Sequence, residues 1–249
     1  MNKQEIIVHI LGCWAGFQKA GDACSGVLVQ AGGKNFLFDI GSGVFSKLLE
    51  KIDLEDLEAV FISHLHYDHM GDLEAIQSKA KYLRRTKQMN RKIDVFAPSE
   101  PLESYQRIDF SDIKLQSVGE AFCYQIGEVK ITAVPVSHTV SCYAYCIKAY
   151  GKKIVYYTDT VLREQDIDFI KDADLFICEA TKTEGSRHTI GLGHMSDYEA
   201  GRLATLANAK SLCLYHLPGD VDVQQIYDNA RTQFNKELNL AVNKRIYIL

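Results

Sequence analysis

Short apolar runs recur along the chain and are separated by glycine-rich or polar segments. Many of them are rich in valine, isoleucine, phenylalanine and tyrosine, a composition typical of buried β-strands. The pattern predicts strands at 6–11, 25–31, 35–40, 57–62, 93–97, 113–118, 121–126, 129–135, 141–150, 153–157, 175–177, 211–215 and 246–249. It predicts helices at 44–51, from 72, from 98, from Ser196 to about 208, and near 221–234. No repeat, low-complexity tract or linker interrupts this mixture, so we expect one α/β domain over residues 1–249.

One stretch with metal-binding character follows the predicted strand 57–62. Within six residues it contains His64, His66, Asp68 and His69, which include three of the eight histidines. Imidazole and carboxylate are ligands of zinc and similar ions, so this density favours a metal loop over a polar surface loop. In an extended loop His64 and His66 point the same way, whereas Asp68 and His69 can turn to a second point. The stretch has room for two metal ions.

Other ligand-type side chains also stand just past apolar runs. They are Asp39, His138, Asp159, Glu179, His194 and His216. Strands that end at the same edge of a sheet would bring these residues to the loop at 64–69. Each distal histidine alone is more often simply packed, but as a completion of that loop it becomes a candidate ligand.

Composition narrows the class of protein. The 249 residues carry a formal net charge of −4, so overall charge does not indicate a nucleic-acid-binding protein. No apolar run approaches the ~18 residues of a membrane span, and the start lacks the apolar segment of a signal peptide. Seven cysteines are scattered without a Cys-x-x-Cys pair, which favours free thiols and a reducing cytoplasm.

A basic segment departs from this acidic balance. Residues 79–92 hold seven lysines or arginines and no acid, with Arg84, Arg85 and Lys87 at the centre. One interpretation is a solvated helix or loop face. The other is a contact with phosphate or nucleic acid. The sequence leaves both open.

The signature His-x-His-x-Asp-His at 64–69, followed in order by His138, Asp159 and His216, resembles the metallo-β-lactamase superfamily over essentially the whole chain. The chain is most similar to the ribonuclease Z-like branch. The residues that carry this similarity are Phe38-Asp39-Ile40-Gly41-Ser42-Gly43, Cys178-Glu179-Ala180-Thr181 and Gly193-His194-Met195-Ser196. The resemblance implies a four-layer αββα sandwich, and homodimers are frequent in this group.

The resemblance also implies a dinuclear site, with zinc as the expected metal and manganese or iron as alternatives. His64, His66 and His138 would hold one ion, Asp68, His69 and His216 the other, and Asp159 would bridge them, with Asp39 supporting the histidine loop from behind. A water shared by two ions would lose a proton near neutral pH and attack a phosphodiester. Asp68 could orient this nucleophile, while Glu179 and His194 would protonate the leaving group.

Departures from the pattern limit the substrate prediction. Cys178 stands where a histidine is usual, and Met195-Ser196 replaces Ser-Thr. Only 21 residues separate His138 from Asp159 (159 − 138 = 21), where tRNA-processing relatives carry an arm. The prediction is therefore a phosphodiesterase for a small or nucleotide-like diester.

Alternative functions remain open on the sequence alone. The nearest is a tRNA 3′-processing endoribonuclease. A thioester or lactone hydrolase would not use the Glu179–His194 pair. A redox diiron relative is disfavoured by His66, where such sites have glutamate, and an inactive nucleic-acid-binding relative would have lost metal ligands.

Overall fold

The computed structural model describes residues 4–183, 193–244 and 246–249. The strands are β1 (Ile6–Gly12), β2 (Gly26–Ala31), β3 (Lys34–Phe38), β4 (Leu57–Phe61), β5 (Ile93–Pro98), β6 (Ile113–Val118), β7 (Cys123–Ile126), β8 (Val129–Val136), β9 (Cys142–Ala149), β10 (Lys152–Tyr157), β11 (Leu175–Glu179), β12 (Ser211–Tyr215), β13 (Glu237–Leu240) and β14 (Ile246–Ile248). The helices are α1 (Val44–Leu49), α2 (Tyr67–Met70), α3 (Leu73–Arg85), α4 (Leu102–Arg107), α5 (Ile167–Ile170), α6 (Asp197–Leu206) and α7 (Val223–Arg231).

The described strands form two seven-stranded sheets. One has the order β14-β1-β2-β3-β4-β5-β6 and the other β13-β12-β11-β10-β9-β8-β7. Each sheet contains a parallel block, β3 to β6 in the first and β10 to β13 in the second. The carboxyl ends of the strands in each block lie at one edge, where ligand-binding loops of such sheets are usually found.

A layer of apolar side chains lies between the two sheets. Phe36, Phe38 and Phe61 of the first sheet pack with Tyr145 and Tyr156 of the second, and the Phe38 and Phe61 rings stack at 5.1 Å. Side chains on the opposite faces of the strands belong to two further clusters. One packs α1 and α3 on the first sheet, and the other packs α6 and α7 on the second. The layers are therefore helix, sheet, sheet, helix, which confirms the predicted αββα sandwich.

The predicted elements agree with the structure at the start of one helix and differ from it at two strands. Ser196 caps α6 by accepting from the Glu199 N–H, and the Glu199 side chain accepts from the Ser196 N–H, the predicted capping box. The strand predicted at 35–40 ends early, at Phe38, because Asp39 has a φ of 57° that extended strands exclude. Strand Glu237–Leu240 was not predicted at all.

None of the helices in the described ranges combines the length and the apolar character that crossing a membrane requires.

Candidate metal centre

Three of the predicted site residues share an unusual backbone conformation within two residues of a strand end. Asp39 follows β3, Asp159 follows β10 and His216 follows β12, and their φ angles are 57°, 46° and 51°. A non-glycine residue pays about 1–3 kcal/mol for such a conformation unless its surroundings impose it. The left-handed turn stops the strand and directs the side chain into the space between the two sheet edges.

The histidine loop is fixed against the turn after β3. The Asp39 carboxylate accepts from the Ser63 N–H at 2.6 Å and from the Ser63 hydroxyl at 2.8 Å. Ile40 N–H donates to the His69 carbonyl oxygen at 2.7 Å. Gly41 is required here, since a Cβ at this position would lie 2.0 Å from the Asp68 carbonyl oxygen. The loop 63–69 is therefore held by the Asp39 carboxylate and by the main chain of Ile40.

A first group of ligand atoms converges on one side of the centre. His66 Nδ1 lies 2.9 Å from His64 Nε2 and 3.2 Å from His138 Nε2. With Asp159 these three histidines place one donor atom each within 4.8 Å of one another. These are the residues predicted to hold the first ion.

A second group lies beside it. His69 Nε2 is 3.2 Å from His216 Nε2, which is 3.1 Å from Asp68 Oδ2. The three donor atoms again lie within 4.8 Å of one another. The structure thus brings together the residues predicted for the second ion, although they span 148 positions of the chain.

Asp159 lies between the groups and offers one oxygen to each. Its Oδ1 is 3.3 Å from His69 Nε2 and 3.5 Å from His216 Nε2. Its Oδ2 is 3.7 Å from the Nε2 atoms of both His64 and His138. This is the placement that a carboxylate bridging two ions requires.

Outer contacts select which ring nitrogen faces the centre. His69 Nδ1 donates to Asp39 Oδ2 at 2.7 Å, and His138 Nδ1 donates to the Gly193 carbonyl oxygen at 2.9 Å. His216 Nδ1 donates at 2.8 Å to the Thr181 hydroxyl, which itself donates to the His216 carbonyl oxygen. Each contact puts the ring hydrogen on Nδ1 and leaves the Nε2 lone pair for a metal.

Sequence reasoning missed the hydroxyl groups among these partners. Ser63 lies 3.0 Å from His64 Nδ1, Thr181 supports His216, and Tyr156 donates to Asp39 at 2.7 Å. Ser63 directly precedes the histidine motif, and Thr181 is the last residue of the motif 178–181. Their positions in or beside these motifs were the available signal.

The charge states fit a cation site. Burial lowers the pKa of His64 well below its usual value, reinforced by His69, and burial also lowers the pKa of His66 and His138. Burial alone would raise the pKa of Asp159, but the surrounding His216, His69 and His64 rings outweigh it and hold the pKa well below the usual range. Neutral imidazoles and ionised carboxylates are the donor set that Zn²⁺ and similar divalent ions take. The residues present therefore fit the metal that the family pattern implies.

Glu179 and His194 form a pair next to the bridging carboxylate. His194 Nδ1 is 3.1 Å from each oxygen of the fully buried Glu179 carboxylate, which also accepts from the Thr160 N–H. Burial alone would lower the pKa of His194, but the hydrogen bond to Glu179 raises it above the usual value. His194 also lies within reach of the centre, with Nδ1 3.9 Å from Asp159 Oδ2.

A cavity of about 450 Å³ opens onto the centre. Its lining consists of Ala15, Gly16, Phe17, His66, Asp68, Asp159, Thr181, His194, His216, Pro218, Gly219 and Asp220. The volume lies within the range of about 300–1,000 Å³ that small-molecule sites occupy. One or more members of each ligand group, the bridging Asp159 and His194 therefore face one substrate-sized space.

The basic segment lies elsewhere. Arg84, Arg85 and Lys87 stand at or just past the end of α3, a helix of 13 residues and so about 20 Å long, whose start follows the histidine loop. Arg84 pairs with Asp112 at 2.5 Å, and none of the three side chains lines the cavity. A substrate contact by this segment stays a prediction.

Comparison with known proteins identifies the family. The family model of the beta-lactamase superfamily domain matches residues 25–217 of this chain. The probable metallo-hydrolase YhfI of Bacillus subtilis is 34% identical over 238 residues, which cover 94% of this chain and 96% of that one. The YhfI crystal structure has a TM-score of 0.93 at 30% identity and covers 98% of this chain and 100% of that one.

More distant proteins share the fold. Ribonuclease Z of Clostridioides difficile is 24% identical over 290 residues, covering 94% of this chain and 95% of that one. A crystal structure of a diphosphatase from the PhnP family has a TM-score of 0.78 at 17% identity and covers 98% and 97% of the two chains. The chain belongs to the metallo-β-lactamase superfamily, as predicted, and is a metal-dependent hydrolase similar to ribonuclease Z.

Proposed function

We propose that this protein is a dinuclear phosphodiesterase, with zinc as the expected metal, that hydrolyses a small or nucleotide-like phosphodiester. The observation that carries the proposal is the position of Asp159, whose two oxygens face two separate groups of ligand atoms. When bound, two divalent ions would lower the pKa of a bound water and offset negative charge on the phosphoryl oxygens.

The chain's own residues would do the rest. Asp68 accepts from the Gly16 N–H at 2.7 Å and faces the cavity, so it can orient an attacking water there. His194 keeps its Nδ1 hydrogen against Glu179 and has Nε2 left to give a proton to the departing alkoxide. This pair supports phosphodiester cleavage over thioester hydrolysis, because a departing alkoxide needs a proton whereas a thiolate leaves without one.

The alternative is cleavage of tRNA precursors, in keeping with the similarity to ribonuclease Z. Strands β9 and β10 are joined by a turn at Tyr150 and Gly151 alone, so the interval between His138 and Asp159 holds no protruding arm. This observation supports a small substrate. The basic segment 79–92 is the part of the chain that an RNA substrate could use instead.

The experiment is a substrate panel on the purified protein with metal analysis of the same preparation. Bis(p-nitrophenyl) phosphate, cyclic nucleotides and an end-labelled pre-tRNA are compared at physiological salt. We expect about two metal ions per chain and hydrolysis of the small diesters. Efficient release of the tRNA 3′ trailer with slow turnover of small diesters would favour the alternative, and no diester cleavage by the metal-loaded protein would refute the proposal.

The variant His66→Ala sharpens this test, and His9→Ala is its matched control. His9 lies on β1, is bonded to Gln30 at 3.0 Å and lines no part of the site cavity. His66→Ala should lose bound metal and diester hydrolysis together, whereas His9→Ala should keep both. Normal hydrolysis by His66→Ala would contradict the ligand assignment.

A further inference from the structure

Phe17 is a large aromatic residue that the hydrolytic residues leave without a role. Its side chain is 66% exposed, and it lines the cavity that opens onto the metal centre. A single exposed phenylalanine is ordinary on a protein surface, but Phe17 lies at the cavity of the metal centre. The question is what its ring would contact.

The backbone around Phe17 is tied to the metal ligands. Gly16 N–H donates to Asp68 Oδ2 at 2.7 Å, and Ala15 N–H donates to the Leu217 carbonyl oxygen at 3.0 Å, one residue after His216. Phe17 N–H closes a tight turn by donating to the Ala15 carbonyl oxygen at 2.8 Å, and Gly16 within it has a φ of 69°. The backbone that carries the ring is therefore held at a fixed position relative to the centre, which reduces the entropy lost when a ligand binds.

The opposite end of the loop is held as well. The Trp14 indole N–H donates to Asp22 at 2.8 Å, and Lys19 Nζ lies 4.0 Å above the Trp14 ring. Asp22 also pairs with Lys244 at 3.0 Å. These contacts occupy the loop's other aromatic ring and its lysine. Among the residues that the structure describes, Phe17 is the phenylalanine, tyrosine or tryptophan that lines the cavity.

The wall near Phe17 is apolar. It consists of Ala15, Phe17, Pro218 and Gly219, and a Cβ at Gly219 would lie 3.4 Å from the Phe17 ring. The described lining residues include Asp68, Asp159 and Asp220 but no lysine or arginine. No lysine or arginine among the described lining residues is placed to pair with an added anion, so we expect the part of a substrate that extends along this wall to be uncharged.

We propose that Phe17 is a stacking platform for a flat, uncharged ring, a nucleobase or an aryl group, carried by one ester arm of the substrate. The inference rests on the proposed function only in that the phosphate occupies the metal centre. An aromatic ring fixed beside a phosphate site binds the ring of a ligand by stacking, whatever the identity of the base. Phe17 would thus select aromatic diesters over alkyl diesters of equal charge.

The test compares three phosphate ligands on zinc-loaded protein by ligand-observed NMR titration, which does not depend on turnover. The ligands are adenosine 5′-monophosphate, phenyl phosphate and methyl phosphate. In Phe17→Ala at least one of the two aromatic ligands should bind roughly 5- to 150-fold more weakly than in the parent, with methyl phosphate unchanged within about twofold. The ligand that responds distinguishes a nucleobase from a simple aryl group.

Two further variants separate stacking from loss of structure. Phe17→Tyr keeps the ring and should keep the aromatic preference. Tyr82→Ala removes an exposed ring on α3, outside the cavity, and should change none of the dissociation constants. Equal weakening of all three ligands in Phe17→Ala, or no weakening of either aromatic ligand, would overturn the inference.

Hydrolysis of bis(p-nitrophenyl) phosphate by the same preparations is scored separately. In Phe17→Ala we expect a higher KM with little change in kcat, because the ring touches the substrate away from the reacting atoms. A protein that binds aromatic phosphates through Phe17 but cleaves no diester would refute the proposed function and leave this inference standing.

Discussion

The two ligand groups of the metal centre differ in what stands behind them. Behind the second group, His69 is held by the Asp39 carboxylate, His216 by the Thr181 hydroxyl, and Asp68 by the Gly16 N–H. Behind the first group, His64 has the Ser63 hydroxyl and His138 a main-chain carbonyl oxygen. In the part of the chain that the structure describes, the His66 ring contacts the rings of the ligands His64 and His138.

The difference concerns charge as well as number of contacts. Asp39 is fully buried and accepts from Ser63, Tyr156 and His69 at once, so it places a rigid carboxylate directly behind one ligand. Burial would lower the pKa of His69, but Asp159, Asp68 and Asp39 together raise it well above the usual value. A field that favours positive charge on a ring also favours a metal ion beside it. The second position should therefore bind its ion more tightly than the first.

The largest effect should come from the residue that the two groups share. Asp159→Asn keeps the size of the side chain, and asparagine tolerates the φ of 46° at this position, so the fold should survive. The bridging charge is lost from both groups. We expect hydrolysis to fall by roughly 10³-fold or more, corresponding to several kcal/mol of metal-assisted stabilisation.

Metal content and kcat/KM of Asp159→Asn are measured on one preparation, with circular dichroism to establish folding. The number of ions should fall below that of the parent protein. Retention of the parental metal content with a loss of less than tenfold in kcat/KM would show that the groups work independently and that Asp159 is no bridge.

A smaller effect, dependent on the leaving group, should come from His194. It stands beside the centre with its Nδ1 fixed by Glu179, so His194→Gln removes a proton donor while leaving both ligand groups assigned above intact. General acid catalysis typically contributes about 10²- to 10⁴-fold. We expect a loss of that order for a substrate that releases an alkoxide, and much less for one that releases p-nitrophenolate, which leaves without a proton.

For His194→Gln we compare kcat/KM for a nucleoside phosphodiester with kcat/KM for bis(p-nitrophenyl) phosphate. His9→Gln is the control. Equal losses on both substrates, together with a lower metal content, would assign His194 to metal binding instead. That outcome has a structural basis, since His194 also lies within 4.8 Å of Asp159 and His216 in a third set of donor atoms.

The sequence predicted the ligand-type residues better than their supports. Histidines and aspartates just past apolar runs are rare enough to be recognised, and the sheet edges do bring Asp39, Asp159 and His216 together. Tyr156 could not be found this way, because its contact with Asp39 joins residues 117 positions apart. From the sequence, a tyrosine in an apolar strand is expected only to pack in the core, as Tyr156 also does. Strand 237–240 was missed because it is short and carries Asn239 at its centre, which weakens the apolar pattern.

The smallest and most selective effect should come from the carboxylate behind the second group. Asp39→Asn leaves an oxygen for one hydrogen bond but removes the charge, and changes behind a metal ligand typically cost 10–100-fold in metal affinity. We expect roughly that loss for one ion, the one near His69, while the other ion keeps its affinity. Asp166→Asn is the matched control, because Asp166 is a buried carboxylate that accepts from Tyr157 at 2.7 Å but belongs to neither ligand group. Titration with a chromophoric chelator resolves the two affinities. In Asp39→Asn the two metal affinities should become more similar, because the tighter position of the parent protein is the one weakened. An equal loss at both positions would show that the contrast between the two groups does not govern metal binding. The same loss in Asp166→Asn would show this as well.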